Sequence, residues 1–312
     1  MEHSPSTFSH LIKAKSTELG FSACGISQAK RLNEDSDRLT DWLAAGYHGT
    51  MAYMANHFEK RVNPAELVEG ARSVVSVLLN YYTDNKQEDP DAPVISRYAL
   101  GKDYHHVVKD KLRILLSYIQ TELAPCAGRV FADSAPLLEK TLAREAGLGW
   151  IGKNTLLINP KLGSFLFVGE LVLDLDLDYD EPFGNNLCGS CSRCMDSCPT
   201  GAIIAPSLLD ATKCISYLTI ETREEIPEHL TGSLSNRLVG CDICQEVCPW
   251  NGKATQNEVA DFLPKSELLG KTAGEWNMLD QTDFNRLFKG TAVERTGFDR
   301  MKRTLGHLSG LK

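Results

Sequence analysis

Over the first 180 residues the apolar and polar positions switch repeatedly between helical and strand periods. Between residues 7 and 20, Phe8, Leu11, Ile12 and Leu19 fall near one helical face and Gly20 supplies a stop. Phe21–Ile26 predicts a short strand, and Arg38–Ala45 and Met51–Phe58 predict helices separated by Gly46 and Gly49. Ser73–Tyr81 is apolar and partly β-branched, the pattern of a buried strand. The polar stretch Asp84–Pro93 holds two prolines and reads as a surface loop. His105–Leu123 has helical spacing through Val107, Leu112, Leu115, Leu116 and Ile119. A strand at Arg129–Ala132, a helix near Pro136–Ala146 and strands near Thr155–Ile158 and Ser164–Leu175 follow. Strands alternating with helices argue an α/β or α+β domain over residues 1–180. A boundary is predicted in the acidic, Pro- and Gly-bearing stretch Asp178–Asn186. The polar tail, residues 256–312, carries helical patches and ends in a basic run from Arg295 to Lys312.

The cysteines change this picture most. Eight of the ten form two strings between residues 181 and 255: Cys188, Cys191, Cys194 and Cys198 before Pro199, then Cys214, Cys241, Cys244 and Cys248 before Pro249. The first string is the bacterial ferredoxin run, in which the fourth cysteine crosses to the other cluster. The second repeats it with its leading cysteine moved upstream, onto a helical segment predicted over Asp210–Glu224. The expected pairing puts Cys188, Cys191, Cys194 and Cys248 on one [4Fe–4S] cluster and Cys198, Cys214, Cys241 and Cys244 on the other. A zinc site also uses paired cysteines, but it closes on four ligands and needs no trailing Cys-Pro. A disulfide framework belongs to small secreted domains. Cys24 and Cys126 stand alone and read as small buried hydrophobes.

With 312 residues and 42% hydrophobic content, the chain can bury a substantial core. The N-terminus shows no basic segment followed by an apolar stretch, and no apolar run reaches membrane-spanning length. Oxygen-sensitive clusters without an export signal predict a cytoplasmic protein. The net charge of -8 argues against a globally basic nucleic-acid binder, although a local basic patch is still compatible with phosphate contacts.

Several strings go further: Ile95–His105, Phe131–Pro136, Ala146–Asn154, Lys213–Thr219, Asn236–Gln245 and Cys248–Asn251. In the same order and with similar gaps, they resemble epoxyqueuosine reductases. That resemblance implies an α+β chain: a nitroreductase-like, cobalamin-binding domain, a ferredoxin-like module with two [4Fe–4S] clusters, and a short helical tail. It implies an enzyme that removes the epoxide oxygen of epoxyqueuosine at the tRNA wobble position, giving queuosine and water. Electrons would pass through two clusters to cobalamin. Some members end in a helical-repeat extension, which this chain is expected to lack.

The same resemblance assigns roles. Asp133 is the expected proton donor, kept protonated by burial; its local sequence equally suits a helix N-cap. Arg61, Ser96, Asp133, Lys153, Asn154, Ser216 and Asp242 are the expected cobalamin contacts. Lys140, Arg223 and Arg237 are candidates for tRNA phosphates, with Arg295, Arg300, Lys302 and Arg303 in the tail. His105 and His106 read as helix-start histidines, and Tyr104 as a packing or a pocket residue. The expected partners are tRNA carrying epoxyqueuosine, presented on its anticodon stem-loop, and a low-potential electron donor such as flavodoxin or ferredoxin. The protein is expected to be a monomer without membrane attachment. Two alternatives are a cobalamin-dependent reductive dehalogenase, whose members usually carry an export signal and a tyrosine acid, and a non-catalytic iron–sulfur or cobalamin carrier.

Overall fold

The computed structural model describes residues 4–310, which leaves Lys312 of the basic tail outside the described residues. Four antiparallel strands form the central sheet: β1 (Ala23–Gln28), β2 (Ser73–Asn80), β3 (Gly128–Phe131) and β4 (Leu166–Leu173), in the order β1-β2-β4-β3. Alternation along the strands gives the sheet two buried faces. On one face, Val75, Val77, Leu171 and Leu173 pack against Ile12 of α1 (Pro5–Glu18) and against Val108, Leu112 and Leu115 of α2 (Tyr104–Tyr118). Gly169 lets α2 approach, because a Cβ there would lie 2.5 Å from Val108. On the other face, Val74, Phe131 and Val172 meet Leu137 and Leu142, the latter in α3 (Glu139–Glu145). A row crossing the strands on that second face is Gly25, Ser76 and Glu170. Burying a carboxylic acid there holds Glu170 well above the ordinary carboxylate range.

The cysteine-bearing segment adds short pieces: α4 (Arg193–Asp196), α5 (Ile215–Ile220) and α6 (Ile243–Glu246). A second core joins Ile95, Ala99 and Leu100 to Leu238 and Val239 and to Trp276, Phe284, Phe288 and Met301 of the tail. Val94–Ile95 also pairs in parallel with Arg237–Val239, so residues from all three stretches share this core.

Two predicted elements differ. Met51–Phe58 is not a helix: a single 3-10 turn covers Ala52–Met54, His57 adopts a left-handed φ of 54°, and a helix begins only at Phe58. Asp210–Glu224 is broken at Cys214, which is extended between a 3-10 turn capped by Asp210 and the start of α5. The break places the Cys214 thiol at a helix start, where the backbone N–H groups of Ser216 and Tyr217 reach it.

Candidate active site and cluster centres

Strand β3 runs out at Phe131, and Asp133 follows in a left-handed conformation with φ 56°. Aspartate tolerates that region better than most residues, and such backbone outliers cluster at functional sites. The Asp133 N–H donates to Glu139 Oε1 at 2.5 Å. Its carboxylate accepts from the Tyr104 hydroxyl at 2.6 Å and lies 3.1 Å from His105 Nε2. The other ring nitrogen of His105 is 2.6 Å from Asp103, the residue that caps α2. Asp133 therefore caps no helix; α3 starts six residues later behind Leu138.

These contacts set the charges. Burial favours the neutral acid, but the hydrogen bonds from His105 and Tyr104 and the charge of His105 outweigh it and hold Asp133 at about 2. Burial also works against charge on His105, yet Asp103 and Asp133 raise it to about 9. Burial and the neighbouring Asp133 charge push Glu139 up to about 8. In this arrangement the partners of Asp133 favour its carboxylate and those of His105 favour its protonated ring, whereas burial alone favours the neutral acid. The Asp133 side chain is 49% exposed, and that exposure opens into a cavity of about 720 Å³. Tyr53, Arg61, Glu139, Glu221 and Arg295 are also in its wall.

Among the other expected contacts, Arg61, Ser96 and Asn154 share a property. Each is buried, and Arg61 Nε, Ser96 Oγ and Asn154 Nδ2 have no hydrogen-bond partner among the described residues. Buried polar groups are normally satisfied, which marks all three; Arg61 lies in the wall of the large cavity, whereas Asn154 lines the small thiol-lined one. Lys153 is already engaged: its ammonium donates to the carbonyls of Gly189 (2.7 Å) and Cys191 (2.8 Å), clamping the first cysteine loop. Asp242 is buried and accepts from the Arg97 N–H and guanidinium. Ser216 is half-buried on α5.

The basic candidates divide. Lys140 donates to the Thr155 carbonyl at 2.8 Å beside the cavity, and Arg223 is exposed. Arg237 is a correction: its guanidinium pairs with Glu246 at 2.6 Å and is only 12% exposed, so it does not face solvent as a phosphate contact needs to. Arg300 and Arg303 likewise reach inward, onto backbone carbonyls between Leu218 and Glu224. Arg295 pairs with Glu221, and Lys302 is exposed.

Cys188, Cys191, Cys194 and Cys248 line one small cavity, with Trp250 beside them. The indole N–H of Trp150 donates to Cys188 Sγ at 3.4 Å. Cys214 neighbours Cys198 electrostatically, and Cys241 and Cys244 neighbour Cys214. Burial raises the Cys241 thiol to about 12, a cost that iron ligation reverses because a bound metal deprotonates its thiols. All ten cysteines are free.

Two family models match: a 4Fe-4S double cluster binding domain over residues 187–251, and epoxyqueuosine reductase QueG, DUF1730, over residues 61–134. An epoxyqueuosine reductase from Leadbetterella byssophila is 51% identical over 298 residues, covering 96% of this chain and 97% of its own length. The chain belongs to the epoxyqueuosine reductase family. The family's Pseudomonas aeruginosa member is 44% identical over 306 residues, covering 96% of this chain and 84% of its own. A crystal structure of an epoxyqueuosine reductase with an epoxyqueuosine-modified tRNA-Tyr stem loop superposes with a TM-score of 0.90 at 27% identity, covering 97% of this chain and 80% of that one. As a family member, the chain is an oxidoreductase enzyme with a double [4Fe–4S] domain.

Two residues around Asp133, His105 and Glu139, escaped sequence reasoning as contacts of the site, and Tyr104, readable as a packing or a pocket residue, joins them. His105 was read as a helix-start residue, and one ring nitrogen does serve that end through Asp103; the other serves Asp133. Tyr104 does pack, stacked on Phe167 at 4.2 Å, while its hydroxyl reaches Asp133. Nothing in the sequence singled out Glu139. Its spacing of six from Asp133 carries no periodic signal, so only the left-handed turn at Asp133 brings the two together.

Proposed function

We propose that the chain reduces epoxyqueuosine in the anticodon stem-loop of tRNA to queuosine, with cobalamin as the redox cofactor and Asp133 delivering a proton to the epoxide oxygen. The observation that carries this reading is Asp133 in the wall of a 720 Å³ cavity, held from behind by Tyr104 and His105. Arg61, Ser96 and Asn154, with their unpartnered polar atoms, would hold the corrin's amide arms. Asp242 and Ser216 would contribute from the cluster side, and the two thiol quartets would hold the cubanes. When bound, the corrin supplies a strongly reducing cobalt centre and the cubanes supply it with single electrons.

The chain's own residues manage the proton. A carboxylate ionised at rest gives up a proton only after receiving one, and His105 Nε2 stores that proton 3.1 Å away. Tyr104 fixes the acceptor oxygen of Asp133, and Asp103 orients the imidazole from its far side. As substrate closes the cavity, loss of water favours transfer from His105 to Asp133 and on to the oxygen. Lys140 and Arg223 remain available for stem-loop phosphates, so binding should weaken as salt rises.

Anaerobic purification followed by iron, sulfide and cobalt analysis, then assay on an epoxyqueuosine-containing stem-loop, tests the reading. Conversion by corrin-loaded protein, and none by the corrin-free form, is expected. Equal conversion by both forms would sink the cobalamin assignment. Failure of the loaded form would sink the substrate.

A further inference from the structure

We propose that Glu139 supplies the second of the two protons consumed in the reduction, a role that rests on the function proposed above. Converting an epoxide to an alkene breaks both C–O bonds, takes two electrons from the low-potential donor, and releases the oxygen as water. Two protons must therefore reach one oxygen atom. Asp133, reloaded from His105, accounts for the first.

Glu139 stands in the same cavity wall as Asp133. Its Oε1 accepts the Asp133 N–H, which leaves Oε2 as the oxygen able to carry a proton. Lys109 and His105 act on its carboxyl only at a distance, and their pull toward ionisation is smaller than the opposing effects of burial and of Asp133. The charged and titratable groups facing it are Arg61, Tyr104, His105 and Lys109, Asp133, Lys140, and Glu170 from the sheet beneath. Two adjacent carboxyl groups with unequal partners do not share charge equally. Asp133 has His105 and Tyr104, so it holds the charge; Glu139 has neither and keeps its proton, in line with its rise to about 8. At neutral pH the site thus stores two protons, one on His105 and one on Glu139. After Asp133 has protonated the oxygen and both C–O bonds have broken, the Glu139 proton completes water and leaves a carboxylate behind.

The test uses fully loaded enzyme and an epoxyqueuosine stem-loop. Glu139→Gln keeps an acceptor for the Asp133 N–H but carries no acidic proton. Its single-turnover rate at pH 7 should fall about 100-fold, with stem-loop affinity and cofactor content unchanged. Glu139→Asp should recover part of that rate. A Gln variant as fast as wild type would reduce Glu139 to a hydrogen-bond acceptor and overturn the proposal. Infrared difference spectroscopy of substrate-free protein reads the proton itself: a carboxylic-acid band at pH 7 that Glu139→Gln loses supports the proposal, and an ionised Glu139 overturns it. If the variant fails to load, titration of that band in the wild type decides instead. Wild-type enzyme inert toward the stem-loop would sink the functional reading, an outcome the infrared band does not share.

Discussion

The cysteine module and the cavity wall obtain function from sequence in opposite ways. In the module, most ligands sit in closely spaced runs around short helices such as Arg193–Asp196 and Ile243–Glu246, while Cys214 and the crossing Cys248 have to come from a distance to complete the thiol sets. In the cavity, Arg61, Asp133, Glu221 and Arg295 come from distant stretches, and Tyr104 reaches Asp133 from behind the wall. Local spacing is readable from one chain; convergence across a sheet is not. The comparison also separates two kinds of chemistry. The module's residues act as ligands whose identity suffices, whereas the cavity's residues act through protonation states that only their neighbours determine.

Asp133→Asn gives the largest expected effect and the most direct way to break this contrast. The substitution preserves shape and leaves every thiol in place. Turnover should fall about 100- to 10,000-fold, the range for losing a positioned acid, while iron, sulfide and cobalt contents stay at wild-type values. A variant that lost its clusters along with its activity would mean that the two regions are coupled structurally, and the division would fail.

A second effect concerns pH and lies behind the cavity wall, where His105 holds Asp133. His105 titrates near 9 when folded, above its ordinary value of about 6.5. Its pairing with Asp133 and Asp103 therefore stabilises the fold fully below about pH 6.5 and is lost as pH rises through about 9. Asp133, held at about 2, contributes above its ordinary value of about 3.9 and loses that contribution as pH falls through about 2. Thermal unfolding of wild type and His105→Gln should thus differ most near pH 6 and converge by about pH 10. A constant difference across that range would show that His105 stabilises by packing on Tyr104 rather than by charge.

Sequence reasoning recovered the sheet strands nearly in place: Ser73–Tyr81 was predicted where β2 spans Ser73–Asn80. Continuous β-branched burial is a local signal. It failed at Met51–Phe58, where the left-handed His57 interrupts a helical pattern, and at Cys214, which must leave the helix to present its thiol. Arg237, Arg300 and Arg303 were misread for a related reason. A basic side chain in sequence has no direction, and these three turn inward onto Glu246 and onto helix-end carbonyls. Lys153 shows the same limit from the other side: the string Gly152-Lys153-Asn154 drew attention in the sequence, but the clamp of Lys153 on Gly189 and Cys191 was not legible there.

The smallest expected effect sharpens the comparison inside the module itself. Trp150 donates its indole N–H to Cys188, and Lys153 places a positive charge against the same loop; both favour the added electron on a cluster held by Cys188, Cys191, Cys194 and Cys248. The other quartet has a backbone donor, Ala202 N–H to Cys198, which side-chain substitution cannot remove. Trp150→Phe keeps an aromatic ring at this buried position and deletes the N–H together with part of the indole, so the shift is read against the second cluster as an internal control for packing. An EPR-monitored redox titration should therefore show one cluster shifted to lower potential and the other unmoved. Equal shifts in both would mean that Trp150 acts through general packing, and that the two quartets are not electrostatically independent.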